Sequence, residues 1–171
     1  MIKKLFLILN IFFIYFFYIN TSQASLQEKI INKLTATKTL SFNFKQQISS
    51  KEEIGNCFIK YPLLMKCNYQ NLKQKTIISN GKTLAVIKKK YKKIYLYPLK
   101  STPLFFILKK EKIINLIRKN QPTEISSNLI IFKFIDKKKN IIKILFDKNS
   151  LDLKGWQTKD AYSNDVSFII N

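Results

Sequence analysis

From Leu40 onward, apolar side chains return at every second position in one short run after another. Leu40, Phe42 and Phe44 alternate with Ser41, Asn43 and Lys45. A period of two sends successive side chains to opposite faces of a strand. Such strands bury one face and wet the other, which is the habit of antiparallel sheets. The runs "NLIIFKFI", "NIIKILF", "LDLKGWQT" and "VSFII" read as strands too, the last reaching the C-terminus. Two segments interrupt them. "STPLFFILKK" and "EKIINLIRK" both read as helical, and Pro103 suits the start of a helix, where a missing N–H costs nothing. Ahead of the strands, "SLQEKIINKL" places Leu26, Ile30, Ile31 and Leu34 at helical spacing. The order predicted is one helix, about six strands, a short helical insertion and about four more strands. That is an α+β fold, mainly antiparallel, with helices on one face of a single sheet.

Turn residues punctuate the pattern. "NCFIKYPLLMKCNY" reads as two strands turning near Tyr61–Pro62. "TIISNGKTLAVIK" is a hairpin, with Asn80–Gly81 expected as a type I′ pair. The chemistry available is limited. The chain has no histidine and three glycines, so histidine-based triads, common zinc sets and glycine-rich nucleotide cradles are excluded. Gly81–Lys82–Thr83 ends like a phosphate-binding loop, but Thr76 stands where that motif needs glycine. The acidic residues are scattered, apart from Glu52–Glu53. The pattern points to a binder, with no enzyme activity and no cofactor.

The first 24 residues read as a secretory leader: Lys3 and Lys4, an apolar stretch from Leu5 to Ile19, then Ser22, Gln23 and Ala24 at a cleavage site. The expected mature domain is residues 25–171. No cysteine follows the apolar stretch closely, so the chain is not itself an acylated lipoprotein. Removing Lys3 and Lys4 takes the net charge from +21 to +19. Among 31 basic residues Arg118 is the single arginine. Bidentate recognition of bases and phosphates favours arginine, so most of this charge is read as solvated surface. The runs Lys88–Lys90 and Lys137–Lys139 read as strand ends or turns. No nucleic-acid partner is expected.

Several ordered pieces resemble the LolA family, periplasmic carriers of outer-membrane lipoproteins. "LSFNFKQ" is similar to the family's early aromatic strand. "GNCFIKYP" and "IISNGKTL" resemble two of its hairpins, "STPLFFIL" its lid segment, and "LKGWQTKDAYSNDVSFII" its late strand pair. The resemblance implies a half-open β-barrel with a helical lid over a hydrophobic cavity for acyl chains. It implies acylated lipoproteins as cargo, an inner-membrane lipoprotein-releasing transporter as donor and an outer-membrane acceptor. A monomer is expected. The alternative on the same scaffold is a secreted envelope lipid-binding or sensing module. A polyanion binder is the other rival.

By register with the family, the cavity lining is Phe42, Phe44, Ile59, Met65 and Tyr69, with Leu34 from the first helix. An ordinary packed core would show the same pattern. The lid is expected to be Leu104, Phe105, Ile107 and Leu108 behind Pro103, displaced by acyl chains; a static plug is the alternative. Tyr61 stands where the family usually has an arginine that holds the lid, so apolar contact is expected to hold it here. The chain ends soon after Ile170, before the family's last strand and tail. A disulfide between Cys57 and Cys67 is expected, since a turn centred between Tyr61 and Leu63 sets them opposite each other and secreted chains pair their cysteines. The alternative is two buried thiols.

Overall fold

The structure, a computed structural model, describes residues 25–71, 74–135, 141–160 and 163–171. The expected leader and the Lys137–Lys139 run lie outside the described residues. Helix α1 (Leu26–Ala36) opens with Ser25, whose hydroxyl accepts from the Glu28 N–H. That caps one of the orphan donors of the first turn. Its apolar stripe, Ile30, Ile31 and Leu34, is buried.

Strands β1 (Thr39–Ile48), β2 (Lys51–Lys60), β3 (Leu64–Tyr69), β4 (Lys75–Asn80), β5 (Thr83–Lys88) and β6 (Lys93–Pro98) follow as a meander. Helices α2 (Leu104–Leu108) and α3 (Lys110–Lys119) come next. Strands β7 (Glu124–Ile125), β8 (Leu129–Ile135), β9 (Ile141–Asp147), β10 (Leu153–Lys159) and β11 (Asp165–Ile170) complete the described fold. The sequence predicts about ten strands; the addition is β7, whose two residues are too few to show a period.

All eleven strands form one antiparallel sheet in the order β6-β5-β4-β3-β2-β1-β11-β10-β9-β8-β7. The first and last strands meet in its interior, with Phe44 opposite Ile170 and Gln46 opposite Phe168. β6 and β7 are the two edges and do not pair with each other, so the barrel is incomplete. The chain between those edges is the one that carries α2 and α3. Burial follows the predicted period. In β2, Cys57 and Ile59 are buried while Asn56, Phe58 and Lys60 are exposed. In β3, Met65, Cys67 and Tyr69 are buried while Leu64, Lys66 and Asn68 are exposed.

One turn differs from expectation. Positive φ falls on Gly81 (93°) and not on Asn80, so the Asn80–Gly81 pair does not form a type I′ turn. The Asn80 side chain explains the difference. Its Oδ1 accepts from the N–H groups of Lys82 (3.0 Å) and Thr83 (2.8 Å). This local bonding ties the loop while Asn80 itself stays in the strand region. The two residues spanning the turn are then Gly81 and Lys82.

Candidate functional site

Helices α1 and α3 hold each other's ends. The Gln27 side-chain N–H groups donate to the carbonyls of Ile117 (2.7 Å) and Asn120 (2.8 Å) at the end of α3. In return the Lys110 ammonium donates to the carbonyls of Thr35 (3.0 Å) and Thr37 (2.7 Å) at the end of α1. Orphan carbonyls at both C-termini are thereby satisfied, one pair by a cation that also suits the helix dipole. Ile113 and Ile117 of α3 are fully buried. Helix α2 has only five residues. Its C-terminal carbonyl, on Leu108, accepts from the Leu63 N–H (3.1 Å) in the β2–β3 turn.

Beside α2 lies a cavity of about 250 Å³. Met65, Cys67 and Tyr69 from β3 line it, with Ile77 from β4 and Leu84 from β5. Pro103 and Leu104 close it from the α2 side, and Trp156, Val166 and Phe168 from the far half of the sheet. Gln46, Thr102, Thr158, Lys159 and Asp160 mark a polar rim. Larger grooves exist, such as one of about 530 Å³ among Gln47, Lys143, Gln157 and Ser167. Ile141 and Val166 join them, but most of its lining side chains are polar.

An aromatic ladder forms the cavity floor. The Trp156 and Phe168 rings stack at 4.2 Å, Phe168 stacks on Phe44 at 4.5 Å, and Phe44 meets Tyr69 edge-on at 4.9 Å. Gly55 makes the last contact possible. It sits between Phe44 and Tyr69 in the register, and a Cβ there would stand 2.7 Å from the Phe44 ring and closer still to the Asn68 carbonyl oxygen. The Tyr69 hydroxyl donates to Gln46 Oε1 (2.6 Å). Burial raises the Tyr69 pKa well above its ordinary value, and the Glu53 carboxylate raises it further, so this hydroxyl stays a neutral donor.

The expected lining residues divide. Met65 and Tyr69 face the cavity. Leu34, Phe44 and Ile59 are buried in the apolar layer around it, and Phe42 is half-buried against that layer with its ring edge-on to Phe168. The lid residues divide as well. Pro103 and Leu104 reach the cavity, while Ile107 and Leu108 are buried. Phe105 is half-buried, with the Lys109 and Lys112 ammonium groups 5.9 and 5.3 Å from its ring centre. Phe106, outside the expected set, packs on Phe134 at 5.9 Å. Tyr61 lies under the helices with the Lys110 ammonium 5.4 Å from its ring. Its hydroxyl is buried without a hydrogen-bond partner among the described residues, and burial raises its pKa to about 12. Cys57 and Cys67 face each other in the register, joined as a disulfide with Cα atoms 4.1 Å apart.

The profile of the family described as outer membrane lipoprotein carrier protein LolA matches residues 35–171, most of the chain. The chain belongs to the LolA family. Among solved structures, a LolA superfamily protein from Nitrosomonas europaea aligns with a TM-score of 0.43 at 8% identity, over 86% of this chain and 92% of its own. No curated protein matches the sequence. LolA members are carriers, and an open sheet with an apolar cavity beside α2 suits that role. Ile77, Leu84, Trp156, Val166 and Phe168 are the apolar lining residues that local sequence reading misses. Each has strand-like alternation, but only the β1–β11 junction shows that the two halves share one cavity.

Proposed function

We propose that this protein carries acylated lipoproteins through the periplasm, after export by its leader, from an inner-membrane releasing transporter to an outer-membrane acceptor. The observation that carries the reading is the apolar cavity closed by Pro103 and Leu104. At about 250 Å³ it is smaller than the roughly 300–1,000 Å³ of ordinary ligand sites. A long acyl chain therefore enters by displacing α2, whose side chains occupy the space it needs. Each buried methylene is worth about 0.8 kcal/mol. Moving the lid consumes part of that gain, which keeps the cargo releasable. The apolar lining suits retention of a ligand by burial, with the polar side chains of Gln46, Thr102, Thr158, Lys159 and Asp160 kept to the rim.

Native mass spectrometry of the protein purified from a membrane-containing lysate tests the reading. Masses of acylated polypeptides riding in the cavity are expected. Phospholipid alone would replace the lipoprotein reading with an envelope lipid-binding module. An empty protein that also fails to take up a purified lipoprotein would overturn both.

A further inference from the structure

The edge strand β6 is exposed on both of its faces. Ile94 is 63% and Leu96 67% exposed on the outer face, and Tyr95 and Tyr97 are exposed on the inner face. Tyr91, in the turn before it, is half exposed. An unpaired edge carrying this much apolar surface normally invites association, and proteins protect such edges with charge or cover. Here the charge is all of one sign. Between Glu53 and Glu111 the sequence contains thirteen lysines and no aspartate or glutamate. Lys88, Lys89, Lys90, Lys92 and Lys93 bracket the start of the strand, and Lys100 follows its end. Among the described residues none of these six lies in an ion pair.

We infer that β6 and its lysine belt form a docking edge for an anionic phospholipid bilayer surface. The one-sided charge favours an anionic partner. The alternation decides which kind. A folded protein covers one face of a strand, whereas Ile94 and Leu96 point one way and Tyr95 and Tyr97 the other. A bilayer interface surrounds an edge from both sides. Tyrosine and lysine with aliphatic side chains between them are the composition that settles at headgroup depth. There, water and headgroups can satisfy the free N–H and C=O groups of the edge, which the hydrocarbon core could not. The edge also adjoins the cavity: Tyr97 pairs with Leu84, a lining residue, and the chain leaving β6 leads directly to Pro103. Docking would set the cavity mouth beside the membrane. This surface goes beyond the cargo reading and does not depend on it.

Vesicle co-sedimentation of the mature chain, without lipoprotein, tests the inference. Phosphatidylcholine vesicles containing about a third phosphatidylglycerol should bind it at least about tenfold better than phosphatidylcholine alone, and added salt should weaken the binding. Lys88→Gln/Lys89→Gln/Lys90→Gln should weaken binding by roughly a hundredfold. Ile94→Ser/Leu96→Ser should weaken it by about tenfold or more. The triple variant Lys119→Gln/Lys133→Gln/Lys148→Gln, on the other half of the molecule, controls for net charge and should bind nearly as well as the wild type. All these side chains are exposed or half-exposed, so circular dichroism should show folded proteins. No binding by the wild type, equal binding to neutral vesicles, an equal loss in the control triple, or an unaffected serine variant would each overturn the docking edge. Any of those results would leave the cargo experiment unaffected.

Discussion

The Tyr61 hydroxyl is buried without a hydrogen-bond partner among the described residues. Such a group contributes a desolvation cost of about 1–3 kcal/mol with no compensating bond. Tyr61→Phe keeps the ring that packs under the helices and removes that cost. Stability at neutral pH should stay level or rise, read from the urea midpoint. The same residue sets an alkaline limit. Burial raises its folded pKa to about 12, above the ordinary phenol value of 10.0. The unfolded phenol therefore ionises first, and the stability present below pH 10 is lost as pH rises toward 12. Tyr61→Phe should make that decline shallower; an unchanged profile would assign it to other groups such as Tyr69. Gly55 gives a second residue-scale prediction. Gly55→Ala would drive a Cβ into Phe44 and the Asn68 carbonyl, and should cost about 1–3 kcal/mol or more in the denaturant midpoint. Much of this was legible in the sequence. The alternation around Phe44, Met65 and Tyr69 identifies an inward face. It cannot show that Gly55 exists to let Phe44 lean toward Tyr69, because that contact depends on strand neighbours.

Elements differ in how firmly they are tied. α1 and α3 are capped by each other, whereas α2 is joined to the turn of the β2–β3 hairpin by one backbone bond, from Leu63 to Leu108. Apolar contact supplies most of the rest, so α2 is the element proposed to move. Ile107, 1% exposed in the closed form, is a suitable reporter. In a Cys57→Ala/Cys67→Ala background, Ile107→Cys should label slowly with a thiol reagent and faster once a long-chain acyl detergent or an acylated lipoprotein is added. Equal rates would make α2 a fixed plug. Removing the disulfide for this assay should itself lower stability by roughly 2–3 kcal/mol, since it closes a short loop. The existence of α2 was readable from Pro103 and the apolar run behind it. Its orientation was not: which of Leu104, Phe105 and Phe106 meets the cavity depends on how α3 docks on α1. β7 escaped notice because two residues carry no periodicity.

At the scale of the molecule, two meanders lie side by side, β1 to β6 and β7 to β11, and meet at β1 and β11. Strands within each half pair with sequence neighbours, so hairpin signals sufficed to place them. The join between halves is a contact across almost the whole domain, which no local signal announces. Backbone protection should follow the same plan. Hydrogen exchange should be slowest in β1, β2 and β11 and fastest at the edges β6 and β7, where one row of amides has no strand partner. Uniform protection across the sheet would argue against an open edge. The position of β11 also governs when the protein can become itself. Until Asp165–Ile170 is available, β1 lacks a neighbour on one side, and Phe168 is missing from between Phe44 and Trp156. Closing that seam bridges a long chain separation, so its entropic cost falls late in folding. A chain still being synthesised therefore has no completed sheet, and the pocket forms only after β11 has arrived.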